Sequence, residues 1–523
     1  MIPHARMNTS HFITLLFLFF ATVATARGDW PQWRGPERNG LADPSAKIPD
    51  SIPEDYSLTE RWTSLEIPSD HYGGHGSVSV SNGNVYLSVV WHRDEPTETR
   101  KIDGDVLSTL GYRGTRSIPE ETRKKMEEDR MSLSRRLRGA ALDEWAKEWV
   151  EANIDEKTQL SLGSWIISRF KKGQAAIPLQ VYDVLLSARS EVFEDQAAME
   201  AWVDAQNFEP LIRDQIIKAV PATRKVADDT ILCLDAETGA TVWEFKVPGF
   251  PSGRASSSTP AIADGRVYAA LSEHFFCVDA QTGEEIWRAP MTGKKGPASS
   301  PLVHGDHVFV QQNQLTAFHR STGEEAWTSE EVTGANSSPA VWRDLILCNT
   351  TKALVAVDGA TGETVWSVEG GGDGTPVVYG DHVVISSRQE AKNLVAYHLG
   401  EDGPKEIWSH SFLARRYGST PIISGNNVYY LGSERHLCLD LASGEIQWER
   451  QAQSAISSPL LADGKLIVYE NRGGFAKIIR ATPEGYESIG RAKVGALYCA
   501  SPAIVGSDLY LRTAKNVVSY RFE

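Results

Sequence analysis

Ser258-Thr-Pro-Ala-Ile-Ala-Asp-Gly-Arg-Val-Tyr-Ala-Ala-Leu271, completed by Phe275-Phe-Cys-Val-Asp279-Ala-Gln-Thr-Gly283-Glu-Glu-Ile-Trp287, is a unit that the chain writes repeatedly. It returns from Ser299-Ser-Pro301 to Trp327, from Ser337-Ser-Pro339 to Trp366, from Gly374-Thr-Pro376 to Trp408 and from Ser419-Thr-Pro421 to Trp448. With Trp243 before them, successive tryptophans stand about 40 residues apart, the period of a four-stranded propeller blade.

Each piece of the unit has a physical task. The Pro-led apolar run reads as the innermost strand, where proline is tolerated at a strand start. Asp-Gly, Gly-Asp or Asn-Asn then supplies the hairpin turn, because these residues accept positive φ at little cost. A second strand follows, and a third ends in Asp235, Asp279, Asp358 or Asp440, whose carboxylate can bond the backbone of the coming turn. The closing tryptophan lies on the outer strand, where a large flat ring fills the space between blades. Trp62, Trp243, Trp287, Trp327, Trp366, Trp408 and Trp448 are therefore read as structural docking residues.

Counting from the clear units outward gives eight. Gly76 to Val90 supplies the first two strands of blade one, and its remaining strands return only at Thr230–Asp235 and Thr241–Trp243. A seventh unit from Ser458-Pro459 lacks the tryptophan, and an eighth from Ser501-Pro502 stops at the chain end, one strand short. Leu58-Thr-Glu-Arg-Trp62 is an outer strand without a blade, so joining the two termini in one sheet closes the ring and removes its free edges. The expected fold is all-β: an eight-bladed β-propeller with an α-helical insertion in the first blade.

That insertion is placed at residues 104–222. Ser117-Ile-Pro-Glu120 reads as a helix start, and apolar residues then recur at helical spacing: Leu142, Trp145 and Trp149; Trp165, Ile166 and Phe170; Val181, Val184 and Leu185; Ile212, Ile216 and Val220. Residues 27–103 and 223–523 form the propeller. Because the insertion joins the second and third strands of its blade, it is expected over the channel mouth on the face where blades connect to one another, either as a cap or partner-docking surface or as a helical decoration that covers one edge of that mouth. Residues 1–26, with the apolar run Phe12–Phe20 and the small-residue pattern Ala24-Thr-Ala26, read as a signal peptide, so a periplasmic or secreted location is expected.

Composition limits the function. A net charge of −15 over 523 residues argues against binding nucleic acid through its phosphates. The five cysteines include no CxxC and no adjacent pair, and Cys233, Cys277 and Cys438 share one slot in three repeats, as small buried hydrophobes do. No metalloprotease motif, nucleophile elbow or phosphate loop is present, so no catalytic residue and no metal site is assigned. The loops feeding the inner strands are polar and often basic. His71, His75, Arg254, Arg388, Arg415, Arg435 and Arg472 are the candidate ligand-binding residues of a basic funnel at the channel mouth, suited to an anionic ligand or a carboxylate-rich peptide.

The run Ala356-Val-Asp358-Gly-Ala-Thr-Gly362-Glu-Thr-Val-Trp366 resembles the tryptophan-docking motif of the pyrroloquinoline-quinone-repeat (quinoprotein-dehydrogenase-like) propeller family. The opening Trp30-Pro-Gln-Trp33-Arg-Gly-Pro36-Glu-Arg38-Asn-Gly40 is similar to that of exported quinone-repeat propellers without assigned chemistry. The repeat is also similar to that of the propeller lipoprotein of the outer-membrane assembly machinery, and that resemblance implies a scaffold without cofactor, although the lipid-acceptor Cys is absent here. For the dehydrogenases it implies a quinone under a ring of adjacent cysteines, a calcium site and a catalytic Asp, none of which this sequence places. His319 and His398 also replace the docking Asp in two repeats. The expected function is a non-catalytic exported scaffold binding a protein, peptide or envelope polymer at its capped channel face, with no cofactor. The alternative is a quinone (PQQ)-dependent dehydrogenase of small alcohols or sugars.

Overall fold

The computed structural model describes residues 28–53, 58–115, 117–134, 136–253, 256–291, 298–334, 337–389, 391–412 and 418–522. Residues 1–26, read from the sequence as a signal peptide, lie outside them. Among the described residues the strands group into eight antiparallel sheets of four. The first contains β2 (Ser79–Ser81), β3 (Asn84–Pro96), β4 (Thr223–Asp235) and β5 (Thr241–Gly249). The next six sheets each use one uninterrupted stretch of chain, within 261–290, 302–333, 340–369, 377–410, 422–451 and 460–493. In the last sheet β30 (Ala503–Val505), β31 (Asp508–Arg512) and β32 (Val517–Arg521) are completed by β1 (Thr59–Thr63) from the other end of the chain. The joining register sets Glu60 opposite Tyr520 and Trp62 opposite Ser519.

The tryptophans lock each sheet to the next. Each faces a small residue of its own sheet: Cys233 opposite Trp243, Cys277 opposite Trp287, Ala317 opposite Trp327 and Cys438 opposite Trp448. At all of them but Trp366 the indole then covers the turn of the following sheet and donates its N–H to a carbonyl there: Trp243 to Ala280 at 3.1 Å, Trp408 to Leu441 at 2.8 Å, Trp448 to Thr482 at 2.7 Å. Trp62 does the same across the chain closure, donating to Ala236 at 2.9 Å. A Cβ at Gly239 would stand 2.4 Å from the Trp62 ring, which is why glycine occupies that turn. In the seventh sheet Gly490 stands where the tryptophan would be, and Ile52 of the N-terminal segment packs against it.

Around the centre, one hydroxyl per sheet stitches the inner strands together. Ser77 N–H donates to Thr259 Oγ1, Thr259 to Ser300, Ser300 to Ser338, Thr375 to Thr420, Thr420 to Ser458, Ser458 to Ser501 and Ser501 back to Ser77, at 2.8 to 3.2 Å. Near the remaining junction Ser337 Oγ donates to Gly374 O at 3.0 Å. This is the job of the Ser/Thr that precedes the first strand of each repeat.

Among the described residues seven α-helices lie between β3 and β4: α1 (Gly104–Thr109), α2 (Glu120–Ser132), α3 (Ala140–Asn153), α4 (Glu156–Lys172), α5 (Leu179–Ser187), α6 (Gln196–Ala205) and α7 (Pro210–Ala219). Their core, built on Ile166, Phe170, Leu185, Met199 and Ile216, draws only on residues from Ile102 to Val220. Two details differ from the sequence reading. β3 runs on past Val90 and β4 begins before Thr230, pairing as far as Pro96 opposite Thr223, where the solvent-facing arms carry cross-strand ion pairs, Arg93 with Asp228 and Arg224 with Glu95. The helix near Ser117 starts at Glu120 behind Pro119 without a hydroxyl cap, and a helix capped by Asp103 precedes it.

Candidate functional site

The N-terminal motif occupies the centre of the ring. Trp30 bridges to Val80, Pro31 O accepts from Ile262 N, and Gly40 O accepts from Leu461 N. Arg34 donates to the carbonyls of Thr420 (3.3 Å) and Pro421 (2.7 Å). Arg38 donates to those of Pro301 (2.7 Å), Pro339 (3.0 Å) and Ser300 (3.2 Å) and to Gln32 Oε1 (3.1 Å). Both guanidiniums are buried, and desolvation pulls each down to about 9, so both remain charged at neutral pH. The motif enters from the side of the inner hairpin turns: Asp29 accepts from Ser81 Oγ and Asn82 N, and Asp463 from Ile48 N.

What remains of the channel is a cavity of about 380 Å³ on the opposite side, where the inner strands are entered. Trp33 is at its base, its indole N–H donating to Thr375 Oγ1 at 3.0 Å. Ser300, Ser338, Thr375, Thr420 and Ser458 of the hydroxyl ring line it, with His75, Asp373 and Cys499. The channel is therefore blind, stopped from within by its own N-terminal segment.

The sequence-selected residues are distributed unevenly around this cavity. His75 lines it, buried, with Nε2 3.3 Å from Asp70 Oδ1 and its ring edge-on to Tyr498. His71 is exposed on the same loop. That loop is held by buried Arg512, which donates to the carbonyls of Pro68, Gly73 and Gly76. Arg388 pairs with Asp373 at the cavity edge. Arg435 pairs with Glu449 of the adjoining outer strand at 2.7 Å and lies over Phe412. Arg472 lies over Tyr498, 5.7 Å from the ring centre. Arg254 and Arg415 lie outside the described residues. Of the described candidates, then, His75 alone lines the cavity, and Arg388 reaches it through Asp373. The sequence reading assigned no role to Arg34 and Arg38; two arginines four apart between Trp33 and Gly40 were the available signal.

Beside the cavity mouth lies a second recess of about 650 Å³, between the helices and the first sheet. Tyr72, Phe250 and Val192, all substantially exposed, line it together with Pro251, Asp94 and Lys225. Lys225 pairs with Asp105 and sits 5.0 Å from the Tyr72 ring centre. Tyr72 and His75 belong to one loop, so the recess and the cavity open on the same side. No residue of the helices lines the cavity among those described.

Four cysteines, Cys233, Cys277, Cys348 and Cys438, are buried in separate sheets, and burial raises their thiols to about 12 or beyond; Cys499 is half-buried. Among the described residues no three His, Cys, Asp or Glu side chains converge as metal ligands would.

Residues 227–412 and 276–485, together about half of the chain, match the family model described as outer membrane protein assembly factor BamB. No curated protein matches the sequence. Among solved structures, BamB from Moraxella catarrhalis is 18% identical, with a TM-score of 0.45, covering 54% of this chain and 85% of its own. A europium-containing methanol dehydrogenase is 12% identical (TM-score 0.46; 56% of this chain, 81% of its own). A quinohemoprotein alcohol dehydrogenase from Comamonas testosteroni is 12% identical (TM-score 0.44; 57% and 73%). At these levels the structural likenesses carry no argument about ligand or partner.

Proposed function

Starting from a chain that is a PQQ-repeat propeller of the kind that includes the assembly factor BamB, we propose that it is an exported, non-catalytic scaffold. In this reading the eight sheets are the eight blades of one ring, residues 104–222 are an insertion of the first blade, and a protein or peptide partner docks on the face that carries the blind cavity and the recess. The observation that carries the reading is the recess: Tyr72, Phe250 and Val192 present apolar surface within a charged rim, in a concave site between two separately cored units. Apolar anchors inside a polar margin are what a binding surface requires. Of the two sequence readings of the helical segment, the recess favours the one that covers an edge of the mouth.

The residues present do not fit the quinone alternative. No two cysteines are neighbours, and Cys499 is the sole thiol among the described residues lining the cavity. The indole of Trp33 takes up the channel base, and Asp373 already has its cation in Arg388. No dehydrogenase step is therefore derived.

The test is site-specific photo-crosslinking of the full chain in exporting cells. A photoreactive residue at Val192 or Tyr72 is expected to yield a discrete protein adduct, while one at Val365, exposed on an outer strand, yields none. Equal labelling from all three positions, or adducts to glycan only, would overturn the reading. So would quinone-dependent dye reduction with alcohols.

A further inference from the structure

Every hydroxyl of the central ring accepts one hydrogen bond. Seven accept a backbone N–H from the neighbouring inner strand, and Thr375 accepts the indole N–H of Trp33. A hydroxyl has one hydrogen to donate as well. Among the described residues no acceptor takes the hydrogens of Ser77, Thr259, Ser300, Ser338, Thr375, Thr420, Ser458 or Ser501, although all eight side chains are more than nine-tenths buried. Five of these donors line one blind cavity.

The charge behind them has one sign. Arg34 and Arg38 are bonded to carbonyls, including those of Thr420 and Ser300, whose own hydroxyls face the cavity. No carboxylate among the described residues pairs with either guanidinium. Buried cations are ordinarily paired, and carbonyl dipoles alone leave the net charge in place. The one carboxylate among the described lining residues, Asp373, is answered by Arg388. The cavity is thus a closed-ended chamber with convergent O–H donors and an uncompensated positive field at its base, and about 380 Å³ accommodates a small ion but not a folded chain.

We propose that this chamber is a binding site for a small oxyanion, phosphate or carboxylate in class, held by the hydroxyl ring and drawn in by the two buried guanidiniums. The inference does not rest on the partner-docking reading, since it uses none of the recess residues. It also differs from a basic funnel: the attracting charges are inside the plug, not on the rim.

Cys499 supplies a built-in reporter, because it lines the chamber and is half-buried while the four other thiols are buried. The purified full chain is labelled with a neutral maleimide in zwitterionic buffer without added halide, alone and with inorganic phosphate, succinate or glycerol at low millimolar concentration. Phosphate or succinate, or both, is expected to slow Cys499 labelling at least fivefold, and titration calorimetry with the same ions to show saturable binding. Which ion protects at lower concentration identifies the subclass. The Ser338→Ala/Ser458→Ala variant, checked for an unchanged β-signal, is expected to bind at least tenfold more weakly. Absence of protection in the natural chain overturns the proposal without recourse to any variant. Equal protection by glycerol, or unchanged binding by a folded double variant, overturns it as well.

Discussion

Replacing Trp62 by alanine tests the closure of the ring. Trp62 is 6% exposed, its indole N–H donates to Ala236 O at 2.9 Å, and its ring covers Gly239. Removing a buried indole takes away roughly 200 Å² of apolar contact, worth about 4 kcal/mol after the alanine methyl is subtracted. The Ala236 carbonyl keeps only the longer bond from the Tyr510 hydroxyl at 3.5 Å, and loss of the indole donor adds about 1 kcal/mol. The expected loss is therefore about 5 kcal/mol, within the range known for large aromatic deletions once the hydrogen bond is included. Trp366 is the internal control: it is only partly buried, and among the described residues it makes no indole–carbonyl bond. Its replacement should cost about 2 kcal/mol on the same area argument. Urea unfolding followed by the far-ultraviolet β-signal, with both variants and the natural chain compared side by side, measures the difference. Equal losses at the two positions would refute the reasoning, because the energy would then follow residue type and not docking geometry.

Asp229 is buried in β4, and desolvation raises its carboxyl to about 6, with Ser272 N donating to it at 3.2 Å. The folded state holds this proton between about pH 4 and 6 while the unfolded chain releases it, so this group lowers stability as pH rises through that window. Two pK units correspond to about 3 kcal/mol, so Asp229→Asn should stabilise the protein by up to that amount at pH 7.5 and very little at pH 4; an equal effect at both values would count against it. Asp235, Asp279, Asp358 and Asp440 behave oppositely. Turn hydrogen bonds from Thr238, Thr282, Thr361 and Ser443 hold them below the ordinary aspartate value, so their contribution is present at neutral pH and is lost as pH falls below about 4. Asp279→Asn should lower the urea midpoint at pH 7 and leave it nearly unchanged below about pH 3, so that the acid limb of the stability profile flattens; an equal loss at both pH values would count against it. Arg38→Met leaves three buried carbonyls without a donor, and a loss of several kcal/mol in urea is expected from about 1–3 kcal/mol for each; a neutral result would mean that the plug adds nothing to the ring. Excising residues 97–222 and joining Pro96 to Thr223 by a tight turn should leave the unfolding midpoint of the sheets within about 1 kcal/mol of the natural chain, since the two cores share no residue.

The repeat made the sheets legible because a tryptophan, a turn glycine and a small residue opposite the indole are all local requirements of one geometry. Trp62 could be assigned to the last sheet by the same logic, since an orphan outer strand and a blade lacking one complete each other. The helices were legible from period alone, but the recess they line together with the first sheet was not, because it depends on how far β3 and β4 extend and on the loop that holds Tyr72. The basic side chains were visible, and their partners were not: Glu449 neutralises Arg435 from a strand one hairpin away, and Asp373 meets Arg388 from the preceding inter-blade loop. No spacing rule connects such pairs.

Arg34 and Arg38 show why charge in a sequence is a poor guide to where charge acts. Both fall in a polar, proline-containing segment that has the composition of a surface loop, yet both are among the most buried cations of the molecule. The reason is geometric. At a propeller axis the inner strands are short, and the carbonyls at their entrances point toward the axis without strand partners, so some donor must satisfy them. Guanidinium, with five N–H groups in a fixed plane, serves several carbonyls from one side chain, as Arg38 does for Ser300, Pro301 and Pro339 in two adjacent sheets. A plug that solves the hydrogen-bond problem in this way necessarily leaves positive charge at the axis. The chamber above it is then polarised whether or not its rim is basic, and the electrostatic character of the channel is set by the same residues that close it.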